Sequence, residues 1–236
     1  MSRSQRNNSK DIVLVVAAHP DDEVLGCGGT MAKLAREGHQ ISIAILGEGV
    51  TSRTDKREQA NPAEIEKLKA RSQAAGKLIG AKEVFNYDLP DNRFDTVALL
   101  DIVKIIEALV TKLSPQTIYT HHAGDLNIDH QLVNRAVLTA TRPMKGQSVR
   151  EIFAFEVPSS TEWAFQRIEP SFRANTFMDI GSTLETKTKA MALYESEARA
   201  FPHPRSTEAL NAIAKRWGSV IGCDAAEAFE VIRAIS

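Results

Sequence analysis

The chain has 236 residues, 43% hydrophobic and 25% charged, and its 29 basic and 30 acidic side chains give a formal charge of −1. That size and mixture suit one soluble α/β domain, and the near-balance of charge offers no electrostatic handle for nucleic acid or an anionic membrane. Its two cysteines, Cys27 and Cys223, are far apart and form no CxxC pair, which fits reduced thiols and a cytoplasmic location.

Residues 1–10 are polar and read as a loose tail ahead of a single domain over 11–236. The apolar run Ile12 to Ala18 is too short to span a membrane and reads as a strand buried on both faces. Val24 to Glu37 predicts a helix stopped by Gly38. Gln40 to Gly47 makes a second strand, followed by the long polar loop GEGVTSRTDKREQANP. Ala63 to Ile79 predicts a helix ending at Gly80, and Glu83 to Tyr87 a third strand before the loop DLPDNRFD. Leu99, Ile102, Val103, Ile106, Leu109, Val110 and Leu113 trace one helical face that ends before Pro115. Gln116 to Thr120 is the fourth strand, HHAGDLNID a loop, and Leu132, Val133, Ala136, Val137 and Ala140 mark the next helix. This alternation predicts an α/β fold with a mostly parallel sheet and crossover helices. Past Met144 the pattern changes. EIFAFEV and NTFMDI read as strands, Glu185 to Arg199 and Ser206 to Trp217 as helices, and AEAFEVIRAI as either a strand or a short helix.

Ligands of a parallel α/β sheet collect outside the carboxyl ends of its strands. The segment AHPDDE follows the first strand, and HHAGDLNIDH follows the fourth. His19 and Asp22 offer a nitrogen and a carboxylate, and His130 a second nitrogen. Two histidines and one carboxylate with an open position form a common catalytic zinc arrangement that also accepts other divalent metals. Pro20 restrains His19 near the extended conformation, and the glycines of GCGGT are expected to let helix backbone approach the site. Asp21 is the acid left over, free to take a proton from an activated water. Such a site attacks an amide or ester carbonyl. The plainer alternatives are helix capping by the acids of HPDDE, polar strand-end roles for His121 and His122, and a simple cap role for Asp129.

At these residues the sequence resembles the LmbE-like, or PIG-L, family of metal-dependent N-deacetylases. AHPDDEVLGCGGTMAKLAREGH, GVTSR and HHAGDLNIDH carry the resemblance, with weaker support from PHPRS and AEAFEVIR, which resemble a branch associated with surface-sugar or nucleotide-sugar pathways. It implies a Rossmann-like three-layer fold, zinc (or another divalent metal such as Fe2+) on His19, Asp22 and His130, and Asp21 as general base. The implied reaction removes the N-acetyl group from an amino sugar or its conjugate. Relatives often assemble, so a homo-oligomer is an expectation, whereas nucleic acid and an integral membrane segment are not. The resemblance also suggests Arg53 near the substrate, with Arg57 close by. Many members carry a histidine where this chain has Asn127; an asparagine amide can donate to an oxyanion but carries no titratable proton at neutral pH. Protonation of the leaving amine then falls to Asp21 or another histidine. Asp125 is a candidate for orienting the loop, a ligand histidine or substrate, and His121, His122 and His203 are candidate helpers.

Other candidates stay open between function and structure. Asp91, Asn92 and Arg93 fit turn chemistry as well as a substrate loop. FPHPRS stiffens the backbone around His203 and presents Arg205, which suits contact with substrate (through His203) or a neighbouring subunit, and equally a plain helix-to-helix connector. Glu156, Ser159, Ser160 and Trp163 offer polar contacts and an aromatic face, while a partly buried core role suits Trp163 equally. Cys27 reads as a packing residue. GCGGT is not a GxGxxG fingerprint, and its preceding acids would repel a pyrophosphate. Two rival functions are an amidase for a larger amide of a sugar conjugate and a non-catalytic sugar- or nucleotide-binding module.

Overall fold

Strand β1 (Ile12–Ala17) sets the layering, because its side chains alternate between two apolar compartments. In the computed structural model, residues 10–50, 59 and 61–236 are described; the tail residues 1–9 and the loop arginines Arg53 and Arg57 lie outside them. Val13, Val15 and Ala17 pack on one side with α1 (Asp22–Arg36), α2 (Pro62–Ile79) and α5 (Leu184–Ala192). Leu14, Val16 and Ala18 pack on the other with α3 (Leu99–Leu113) and α4 (Ile128–Ala140). The result is three layers, with a seven-stranded sheet in the middle.

Strand order is β3-β2-β1-β4-β5-β7-β6. β1, β2 (Gln40–Gly47), β3 (Glu83–Leu89), β4 (Thr117–His121) and β5 (Glu151–Phe155) are mutually parallel. β7 (Ala226–Ala234) pairs antiparallel with both β5 and β6 (Thr176–Asp179). The segment that the pattern left undecided is therefore a strand. The order reverses between β1 and β4, which lie side by side, so a crevice opens beyond their carboxyl ends.

Two elements differ from their predicted bounds for visible reasons. The helix expected over Glu185 to Arg199 stops at Ala192, where Leu193 and Tyr194 turn back onto Ala190 and Met191 carbonyls. Tyr194 is drawn inward to donate its hydroxyl to Glu23 at 2.6 Å. The last helix, α6 (Thr207–Ile221), starts after Ser206, whose hydroxyl accepts the Ala209 N–H.

Helix α1 is broken at Cys27, whose φ of −147° and ψ of 25° are not helical. An unbroken helix would join the Gly29 N–H to the Leu25 carbonyl. At this break both groups carry side-chain partners: Glu227 accepts the N–H groups of Gly29 (3.0 Å) and Thr30 (2.7 Å), and Lys187 donates to the Leu25 carbonyl (2.8 Å). Lys187 and Glu227 also meet each other at 2.6 Å, both buried. The glycines of this stretch serve the same packing: a Cβ on Gly26 would stand 2.3 Å from the Phe155 ring, and one on Gly29 2.8 Å from Ile180. The close approach they permit is to β5 and to Ile180 rather than to the crevice, which corrects the expected role of GCGGT.

Candidate metal centre and active site

The loop after β1 and the start of α4 bring His19, Asp22 and His130 together, all buried. Asp22 Oδ2 lies 3.3 Å from His19 Nδ1 and 3.2 Å from His130 Nε2, and those two nitrogens are 3.3 Å apart. An ion with tetrahedral bonds of about 2.0–2.1 Å separates its ligand atoms by roughly 3.3–3.4 Å. The three donor atoms thus trace one face of such a coordination shell, and the residues fit a divalent cation.

The surrounding acids favour positive charge at this triangle. Burial alone would lower both imidazoles, yet Asp129, Asp22 and Asp91 hold His19 well above its ordinary pKa, and Asp22 and Asp125 hold His130 at about 9. Burial likewise opposes ionisation of Asp22, but His130, His19 and His121 keep it well below the usual carboxylate range. Metal binding exchanges such protons for a cation.

Both imidazole ligands have acids behind them. His19 Nε2 faces Asp129 Oδ2 at 2.9 Å and Asp91 Oδ1 at 3.2 Å, which leaves Nδ1 for the triangle. A second acidic grouping, His19 with Asp91 and Asp129, shares this ring and reads as its support. Asp125 Oδ1 lies 3.1 Å from His130 Nδ1, takes the Ser160 hydroxyl and the Asn127 N–H, and its other oxygen accepts Thr161 at 2.6 Å. These bonds outweigh burial and hold Asp125 at about 2. His121 stacks on His130 with ring centroids 3.9 Å apart, and its Nε2 accepts the Ala18 N–H. It is a neutral plate behind the ligand, since burial and His130 hold its pKa well below the ordinary value.

A cleft of about 170 Å³ opens on the triangle, lined by Asp21, Asp91, Asn92, Asn127, Ser159, Ser160, Glu197 and Arg205 among others. Asp21 sits in the left-handed region at φ 106° and is almost fully buried. Burial and the neighbouring acids Asp22, Glu197 and Glu23 push its pKa well up against the pull of Arg205, which donates to Asp21 Oδ2 at 2.7 Å. Asn127 caps α4 by accepting the Asp129 N–H and donates to Asn92 at 2.8 Å. The cap is thus Asn127, and the carboxylate of Asp129 is spent on His19 and the Phe94 N–H.

Among the described residues, several candidates fall away from the cleft. His203 meets Trp163 edge-on with centroids 5.6 Å apart, and neither lines it. Glu156 accepts the Trp217 indole N–H. His122 bridges Glu230 and the Pro170 carbonyl, each at 2.7 Å. Cys27 packs in the apolar core. Conversely, Asp129 was read only as a helix cap and Arg205 only as presented by a stiff loop, and Tyr194, Glu197 and the Asp125 partner Thr161 went unnoticed. Asp129, next to His130 in a histidine-rich loop, and Arg205, in the stiff FPHPRS segment, left usable signals in the sequence.

The family model described as PIG-L, GlcNAc-PI de-N-acetylase, matches residues 14–141, more than half of the chain. The chain belongs to the PIG-L family. Curated relatives of this PIG-L chain include the uncharacterized deacetylase YaiS of Escherichia coli strain K12, 27% identical over 65% of this chain and 77% of that protein. The diacetylchitobiose deacetylase of Thermococcus kodakarensis is 26% identical over 78% of this chain and 69% of its own length. The fold also recurs in the 4-carboxy-2-hydroxymuconate hydratase GalB of Pseudomonas putida KT2440, at TM-score 0.74, 21% identity and coverage of 96% and 98%. A PIG-L fold by itself therefore does not choose the reaction; the side chains of the cleft must.

Proposed function

We propose that this chain is a metal-dependent N-deacetylase that hydrolyses the acetamide of an N-acetylated amino sugar or its conjugate, with zinc as the metal and Fe2+ as an acceptable substitute. The observation that carries the reading is the donor triangle with edges of 3.2–3.3 Å beside a buried, unligated acid, Asp21. Two PIG-L relatives named as deacetylases support the reaction class.

His19, Asp22 and His130 would hold the divalent cation, which when bound would supply Lewis acidity toward the amide carbonyl and the attacking water. Asp21 takes the proton of the attacking water and hands it to the departing amine nitrogen. The Asn127 amide gives one hydrogen to Asn92 and has a second for the oxyanion. Asp125 and Asp129 keep the two imidazoles aimed, and Arg53 is reserved for the substrate. Residues 11–236 act as one catalytic domain on a small sugar in the cytoplasm. Two free cysteines agree with that setting, and no helix among the described residues is long and apolar enough to cross a membrane.

The test is acetate release from a panel of N-acetylated hexosamines, free and conjugated, set against bulkier acyl analogues, with metal content measured alongside. Asp21→Asn should keep the metal and lose about 10²- to 10⁴-fold in kcat; His130→Ala should lose metal and activity together. A metal-loaded wild type that frees no acetate, or an Asp21→Asn protein as active as wild type, rejects the proposal.

A further inference from the structure

The FPHPRS segment ends in a guanidinium that reaches into the cleft from the start of α6. Arg205 sits one residue before the cap Ser206, and its own N–H is held by His203 Nδ1 at 3.1 Å, so its backbone is fixed by the helix entry. Its fork then divides. Nε donates to Ser159 Oγ at 2.8 Å, and Nη1 donates to Asp21 Oδ2 at 2.7 Å. Ser159 is itself pinned, with its N–H on Glu162 at 2.6 Å and a φ of 72°. Arg205 therefore ties Asp21 to two rigid rim segments at once, something a lysine ammonium, a single point charge, does not do.

Asp21 needs such a tie. Its φ of 106° turns it out of the helix that begins at Asp22, and its N–H is taken by Glu23 at 3.1 Å. Of its two carboxylate oxygens, Oδ2 is occupied by Arg205, and Oδ1 accepts no hydrogen bond from the described residues. One oxygen is clamped and the other is left to work.

We propose that Arg205 is a positioning residue that immobilises Asp21 through Oδ2 and thereby presents Oδ1 as the single proton-accepting oxygen of the hydrolysis. The assignment of hydrolysis rests on the function proposed above; the clamp itself does not, and the two are tested separately. The guanidinium does not touch the reacting atoms in this scheme. It removes the rotational freedom of the base, and misplacing a reacting group by about 1 Å can cost on the order of a hundredfold.

The clamp is tested without turnover by a double-mutant cycle on thermal unfolding. Arg205→Ala should lower the melting midpoint of the wild type, because it leaves Asp21 buried without its partner, and should lower it much less in an Asp21→Asn background. Additive shifts overturn the clamp. Its use is tested by kinetics of Arg205→Ala and Arg205→Lys on the best acetamide substrate, with metal content matched to wild type. Arg205→Ala should lose about 10- to 100-fold in kcat with KM within about twofold, Arg205→Lys should recover part, and added guanidinium ion should partly restore Arg205→Ala. A loss confined to KM, or unchanged kcat, overturns the positioning role; a wild type that frees no acetate overturns the deacetylase reading and, with it, the catalytic use of the clamp.

Discussion

The break in α1 makes a sharp quantitative prediction. Lys187 and Glu227 look like a buried ion pair, yet each also satisfies backbone left over by the non-helical Cys27: Leu25 C=O on one side, Gly29 and Thr30 N–H on the other. Removing one partner of a buried pair costs about 3–5 kcal/mol, and Lys187→Met should show that loss. Neutralising both would be near-neutral or stabilising if the pair were only electrostatic. Here the double variant Lys187→Met/Glu227→Gln removes the Lys187 donor from the Leu25 carbonyl and sets an amide NH2 against one of the two N–H groups, Gly29 or Thr30, that Glu227 accepts. Two unpaired buried groups at about 1–3 kcal/mol each leave the double variant roughly 2–6 kcal/mol below wild type. Urea unfolding followed by far-ultraviolet circular dichroism measures both. A double variant as stable as wild type, or more so, would refute the idea that the pair satisfies the backbone at the break.

Two further outcomes follow from the supporting contacts. Asp129→Asn should weaken metal affinity by about 10- to 100-fold without unfolding the protein, read by competition with a chromogenic chelator; unchanged affinity would shift the orientation of His19 to Asp91 alone. Burial raises the Glu230 pKa, but His122 and the Arg173 N–H more than reverse this, so the folded value lies below the ordinary one. Its contribution is therefore fully present above the unfolded value of roughly 4.3 and is lost as pH falls through the folded value. Glu230→Gln should flatten the acid limb of the melting midpoint against pH; an unchanged limb would remove Glu230 from the account.

The fold was legible where one face of an element is uniformly apolar. The spacing from Leu99 to Leu113 matches α3 residue for residue, and the β-branched runs of β1 and β2 give the parallel core. β7 was ambiguous because it is sandwiched between two antiparallel neighbours and only its first half is buried, so neither period dominates. The metal donors stood out because proton-rich and acidic side chains crowd two strand ends. The contacts of Asp129 and Arg205 did not. Asp129 adjoins the ligand His130 yet binds His19, 110 residues away, and Arg205 reaches Asp21 across 184. Such pairings depend on the sheet order, which local spacing does not encode.

The cleft is assembled from two stretches of chain with different reach. His19, Asp22, Asn127 and His130 fall inside residues 14–141, whereas Ser159, Ser160, Glu197 and Arg205 come from the remainder. The two stretches are bonded to each other, since Ser160 and Thr161 donate to Asp125 beside His130 and Arg205 donates to Asp21. A foreign 159–205 stretch would therefore change substrate preference only if it brought with it the partners of Asp125, Asp21 and Glu23.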